Sequence, residues 1–222
     1  MSRRRNANRA GIALGVSAVV ILWCCGLATD PPSLVQWTMG GEQDFQVSQM
    51  VEKSGVETAA RSGQLSPLSV VEAGLRLRYG AISHLSPDDL DNLRKRGDVV
   101  LVDVREANEF DVSHLGGATR VSPGDQASDV LEVVGNPQGK SIVFYCSVGV
   151  RSSALAERAR QTLMQHGAAG VYNLSGGIFR WHNEARELVH RGRATDLVHK
   201  YDDTWGRLIK RQDLAVTRAA KD

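Results

Sequence analysis

Cys146 is the residue whose type and setting point most directly to covalent chemistry. It follows an apolar run, Ile142-Val143-Phe144-Tyr145, and opens a short loop, Ser147-Val148-Gly149-Val150-Arg151, ahead of a helical stretch that begins near Ser152. In an open parallel sheet, reactive groups collect at the carboxyl ends of strands, where loops turn into helix N-termini. Gly149 is free to take dihedrals other residues avoid, so the loop can curl its successive N–H groups into a common anion cradle. Those amides, the helix N-terminus and the Arg151 guanidinium all favour negative charge at one point. The thiolate is the nucleophilic form of cysteine, and the pattern predicts that Cys146 is held in that form. The competing reading is a buried structural cysteine that finishes a strand. The glycine and arginine at loop spacing, with a helix immediately after, weigh against it.

No other cluster competes. Cys24 and Cys25 stand together near the N-terminus, and three cysteines without a C-x-x-C pair build neither a disulfide scaffold nor a structural zinc site. His166, His182, His190 and His199 show no metal-ligand spacing, so no metal and no other cofactor is expected. Gly176-Gly177 lacks a G-x-G-x-x-G context and reads as a tight turn.

The elements that must position Cys146 are written locally. Ser86-Pro87-Asp88-Asp89 starts a helix, with Ser86 as N-cap and Pro87 at its first position, and Arg94-Lys95-Arg96-Gly97 ends it. Val99-Val100-Leu101-Val102, ending at Asp103, and the run before Cys146 have the continuous apolar character of buried parallel strands. Ser152 to His166 places Leu155, Ala159 and Leu163 on one helical face and stops at Gly167. Val171-Tyr172-Asn173-Leu174 is a third strand, running through Ser175-Gly176-Gly177 into a helix with Trp181. Alternating strands and helices predict an α/β domain around a mostly parallel sheet. Upstream, residues 43–61 and Ser69 to Tyr79 read as helical, the second with Ser69 and Glu72 as a capping box. In the tail, Leu197, Tyr201, Trp205 and Ile209 recur at intervals of four and suggest a helical stripe packed against the domain.

With 27 Lys and Arg against 25 Asp and Glu, a net charge of +2 offers no broad basic field, and no nucleic-acid partner is expected. A composition of 42% hydrophobic and 23% charged residues is globular. Ala10 to Thr29 carries no charge and, as a helix rising ~1.5 Å per residue, would span the ~30 Å core of a bilayer. Arg3, Arg4, Arg5 and Arg9 precede it, and the next positive residue is Lys53. The positive-inside rule then keeps the N-terminus cytoplasmic and carries the rest across, in a bacterium to the periplasmic side of the inner membrane. The alternative is secretion to the periplasm after cleavage of a signal segment, near Gly26-Leu27-Ala28. The expected organisation is a basic N-terminus at 1–9, a transmembrane anchor or signal segment at 10–29 and a tether with a helical extension at 30–81. The α/β domain follows at 82–190 and a C-terminal extension at 191–222.

Val99 to Arg105 (VVLVDVR), Glu106 to Phe110, His114-Leu115-Gly116-Gly117-Ala118, the Cys146 to Ser152 loop and Ser175-Gly176-Gly177 leading to Trp181 occur in a familiar order. In that order they resemble single-domain rhodanese-like sulfurtransferases, over about residues 82 to 190. The resemblance implies a five-stranded central parallel sheet flanked by helices, and a Cys146 that becomes a persulfide. It also implies that Ser147, Val148, Gly149, Val150, Arg151 and Ser152 form the persulfide-binding loop, with Arg151 offsetting an anionic donor. Asp103 and Arg105 are then structural. The implied partners are a small sulfur donor such as thiosulfate and a thiophilic acceptor: cyanide, a small thiol or a protein thiol. A rhodanese-like binding or sulfur-carrier module that does not turn over thiosulfate stays open. A phosphatase or arsenate reductase is disfavoured by the four residues, Ser147 to Val150, between Cys146 and Arg151, where phosphatases with a related loop have five.

Overall fold

The computed structural model describes residues 65–219. The expected membrane segment at 10–29, the helical piece at 43–61 and both Cys24 and Cys25 lie outside them. Among the described residues, no helix is long and apolar enough to cross a membrane.

Five strands form one sheet: β1 (Ser83–Leu85), β2 (Val99–Asp103), β3 (Thr119–Arg120), β4 (Ser141–Tyr145) and β5 (Gly170–Leu174), in the order β1-β5-β4-β2-β3. Every pairing is parallel. The two apolar runs and the third expected strand are the three central strands, where both faces must be covered. The short strands β1 and β3, which the sequence did not announce, are the edges.

Alternation along the central strands divides the core in two. Val102, Val104, Ile142 and Phe144 face α4 (Ala127–Val134) and α5 (Val150–Gln165), whose Val130, Leu155, Ala159 and Leu163 are fully buried. Leu101, Val143, Tyr145 and Leu174 face the opposite way. They pack with Leu68, Val71 and Leu75 of α1 (Pro67–Arg78), Leu90 of α2 (Pro87–Arg96), and Ile178, Phe179 and Trp181 of α6 (Gly177–Asn183). Between β2 and β3 runs the short α3 (Ala107–Val112).

Helix α2 has the expected ends: the Asp89 amide donates to Ser86 Oγ at 3.1 Å, and the Ser86 amide donates to Asp89 Oδ2 at 3.0 Å. Helix α1 differs from expectation. It starts at Pro67, with Ser66 as the cap accepting from the Ser69 amide at 3.2 Å. The preset φ of Pro67 moves the start forward. Glu72 is released from capping and pairs with Arg180 of α6 at 2.7 Å. Helix α5 likewise begins two residues before the expected Ser152, so Arg151 lies in its first turn.

The tail is not the expected helical stripe. It forms a hairpin of β6 (Leu188–His190) and β7 (Arg193–Thr195), then β8 (Val198–His199), a single turn α7 (Asp203–Gly206), a 3-10 turn (Gln212–Leu214) and β9 (Ala215–Val216), which pairs with β8. Val198 and Ile209 enter the core, whereas Tyr201 remains 42% exposed. Asp202 caps α7 by accepting from the Trp205 amide at 2.7 Å, which breaks the four-residue spacing into separate turns.

Candidate functional site

Cys146 directly follows β4, whose last carbonyl, on Tyr145, accepts from the Val104 amide at 2.8 Å. The chain then curls through Ser147 and Val148 to Gly149, the N-cap of α5, at φ +105°. An added Cβ at Gly149 would lie 3.1 Å from Leu75 Cδ1 and 3.2 Å from Asn173 Nδ2, so both the dihedral and the space call for glycine. Through this curl the Gly149 amide donates to Cys146 Sγ at 3.2 Å. The sulfur thus faces the N-terminus of a 16-residue helix, where unpaired amides concentrate partial positive charge.

A second turn holds the loop from below. Gly176 and Gly177, both with positive φ, open α6, and the Ile178 and Phe179 amides donate to the carbonyls of Cys146 and Ser147 at 2.9 and 3.0 Å. The first-turn amides of one helix therefore fix the backbone that presents the sulfur to the N-terminus of another. The loop is closed: Cys146 is 1% exposed, Ser147 4% and Val148 4%.

The predicted loop residues diverge in what they touch. Val148 packs into the core and Val150 against its margin. The Ser152 hydroxyl is taken up by Asn173, donating to Oδ1 at 2.6 Å. Arg151, expected to meet an anionic donor, instead meets a carboxylate: Nη1 donates to Glu109 Oε2 at 2.7 Å and Nη2 to Glu109 Oε1 at 2.9 Å. Ser147 Oγ completes the cluster, donating to Glu109 Oε1 at 3.0 Å and accepting from Arg151 Nη2 at 2.9 Å. Burial alone would raise the Glu109 pKa, but the Arg151 hydrogen bonds and charge outweigh it and hold the carboxyl below its ordinary value. Burial pushes the Arg151 pKa down, and the Glu109 carboxylate, together with the sulfur of Cys146, drives it above the usual value.

Glu109 enters the site from outside the Cys146 loop and is not among the expected site residues. The available signal was its place in the Glu106 to Phe110 motif, three residues after Glu106, whose amide it accepts at 3.0 Å. Asp103 and Arg105 stand behind it. Arg105 is fully buried, with Nε 2.9 Å from Asp103 Oδ1 and Nη2 2.6 Å from Asp103 Oδ2, and it donates further to the carbonyls of Ser113 and Glu109. This pair fixes α3, and α3 aims Glu109 at the loop.

The tail supplies one more wall. The Tyr201 ring lies 4.8 Å from Arg151 Cζ, a cation–π contact. Tyr201 holds a positive φ of 65°, and its amide donates to Nδ1 of the buried His199 at 3.0 Å. Among the described residues, no group of three or more His, Cys, Asp or Glu is arranged to hold a metal ion.

Comparison with known proteins gives a family description to this arrangement. Residues 86–184 match the rhodanese-like domain. The tRNA uridine(34) hydroxylase of Pectobacterium carotovorum is 31% identical over 107 residues, a match that covers 46% of this chain and 29% of the relative. The chain thus spans less than a third of that relative's length. Among solved structures, a thiosulfate sulfurtransferase from Pseudomonas aeruginosa aligns at 20% identity with a TM-score of 0.43, covering 54% of this chain and 22% of that one. The polysulfide-sulfur transferase homodimer of Wolinella succinogenes aligns at 22% identity with a TM-score of 0.42, covering 56% and 90% of the two chains.

Proposed function

We propose, on the premise that residues 86–184 are a rhodanese-like domain, that this protein moves sulfane sulfur through a persulfide on Cys146. The observation that carries the reading is the Gly149 amide 3.2 Å from Cys146 Sγ at the head of α5, at the carboxyl end of a central parallel strand. In the forward step the Cys146 thiolate attacks the outer sulfur of a donor such as thiosulfate. The donor's S–S bond breaks, sulfite leaves with the electron pair, and the anionic persulfide remains on the enzyme. In the second step a thiolate or cyanide attacks that outer sulfur and restores the Cys146 thiolate. The Gly149 amide and the helix terminus face the sulfur that carries charge in each step, and the Gly177 turn ties the loop backbone through the carbonyls of Cys146 and Ser147.

The test is sulfur transfer from thiosulfate to cyanide or to a thiol by the wild type and by Cys146→Ala, with mass spectrometry for one added sulfur on Cys146. The variant is expected to lose transfer and carry no sulfur; transfer at the wild-type rate by Cys146→Ala would end the proposal. A second reading, a rhodanese-like module that stores sulfur or binds a partner without turning over a small donor, is favoured by the 1% exposure of Cys146. It expects sulfur on the purified protein without multiple turnover. The hydroxylase activity in the relative's name is checked by assaying tRNA uridine 34.

The proposed location is the inner membrane, with residues 10–29 as an anchor and the sulfur site on the periplasmic side. A protein so held stays in the membrane pellet after high-salt washing and leaves it only with detergent. Release by salt or osmotic shock would favour cleavage of that segment.

A further inference from the structure

The cation expected to meet an anionic donor is already occupied. Arg151 is the one charged residue between Cys146 and Ala154. Its two terminal nitrogens are bound to Glu109, one of them also to Ser147, and its Cζ lies against the Tyr201 ring. The Arg151 side chain is 18% exposed and that of Glu109 2%, so the pair is neutral overall and largely withdrawn from water.

The two classes of sulfur donor differ in charge. Thiosulfate brings two negative charges to an attacking thiolate, so three must coexist during transfer. In a closed, weakly screened loop such repulsion is strong. A persulfide in its protonated form, R–S–SH, brings none. The Cys146 thiolate attacks its outer sulfur, the donor S–S bond breaks, R–S⁻ leaves with the electron pair, and the proton stays on the sulfur now bound to Cys146. One negative charge enters the step and one leaves it.

We infer that this site takes its sulfur from a persulfide in preference to an oxyanion donor such as thiosulfate, and that Glu109 and Tyr201 set the preference by occupying Arg151. The inference rests on the persulfide-carrier reading of Cys146. Glu109 and Tyr201 are positioning residues, acting through the guanidinium. Tyr201 lies beyond the matched residues 86–184, so this part of the preference comes from the chain's own C-terminal segment.

The experiment follows the mass increase of one sulfur on Cys146 with time, in the full chain, with cysteine persulfide or thiosulfate at equal concentration. Wild type, Glu109→Gln and Tyr201→Ala are compared by the ratio of the two loading rates, which a general loss of stability does not change. The wild type is expected to load faster from the persulfide. Glu109→Gln, which frees a charged donor, should narrow the ratio by about 10–100-fold, the worth of one hydrogen bond to a charged group. Tyr201→Ala should narrow it by a smaller factor and, being at an exposed position, decides the matter alone if the buried Glu109→Gln does not fold. Equal or faster loading from thiosulfate in the wild type overturns the inference and leaves Cys146 a sulfur carrier. A ratio unmoved in the folded variants overturns the roles of Glu109 and Tyr201. Absence of sulfur on Cys146 from either donor overturns the persulfide reading itself.

Discussion

Replacing Gly177 by alanine tests whether the second glycine turn holds the sulfur loop in place. Gly177 sits at φ +53°, and an added Cβ would fall 2.3 Å from the Cys146 carbonyl oxygen and 2.7 Å from that of Ser147. Backbone cannot yield as a flexible side chain can, so the turn and the loop must separate. The cost has two parts. A left-handed conformation costs a non-glycine residue about 1–2 kcal/mol. Separation also sacrifices the bonds from the Ile178 and Phe179 amides to those carbonyls, at about 0.5–1.5 kcal/mol each. Together the substitution should destabilise by about 2–5 kcal/mol. Gly139→Ala is the control: its φ is +72°, yet nothing lies within 4 Å of an added Cβ, so it bears the conformational cost alone. The difference between the two variants in urea unfolding isolates the loop contact at about 1–3 kcal/mol. The alkylation rate of Cys146 in folded Gly177→Ala should rise as the loop loosens. If Gly177→Ala is no less stable than Gly139→Ala and its alkylation rate is unchanged, the turn does not hold the loop and the reasoning fails.

Asp103→Asn leaves the fully buried Arg105 without its counter-charge and should cost about 3–5 kcal/mol in urea unfolding; a loss under about 1 kcal/mol would mean that Arg105 is held by carbonyls alone. Burial lowers the pKa of His84, His182 and His199 from the ordinary 6.5, so on acidification the unfolded chain takes up protons first and stability falls as pH drops below that value. The lowered Glu109 carboxyl adds a second loss below its ordinary 4.5, where protonation breaks the Arg151 pair; urea midpoints that stay level from about pH 7 to about pH 5 would contradict the histidine part. Ser86→Ala removes one half of the α2 capping box and should lower stability by about 1 kcal/mol, read as a shift in thermal midpoint.

What the sequence made legible was local. Ser86, Pro87 and Asp89 define a helix start within four residues, and the apolar runs at 99–103 and 142–145 declare central strands without reference to the rest of the chain. Cys146, Gly149 and the helix behind them also stand together in sequence. The Glu109 contact was hidden because it joins residues from different elements, and nothing in the composition of α3 says which loop it faces. Arg151 was visible as a cation, but its charge could not be read as spent until its partner was known. The tail misled for the opposite reason: spacing by four at Leu197, Tyr201, Trp205 and Ile209 is a helical signal only if the backbone is continuous. The Asp202 cap, the positive φ at Tyr201 and the β8–β9 pairing interrupt it.

The order of the sheet also sets a sequence in time. Among the described residues β1 is the first strand of the sheet to be synthesised, yet the strand it pairs with is β5, the last of the five. As the chain is made from its N-terminus, β2, β3 and β4 can assemble while one edge of β4 remains open, and β1 must wait through a long loop closure. β5 brings Asn173, which braces Ser152, and is followed at once by the Gly176-Gly177 turn that ties down the loop. The thiol of Cys146 is therefore enclosed only when the last strand of this sheet joins, and a chain stalled before residue 170 presents it beside an unpaired strand edge, open to oxidants and to other chains alike.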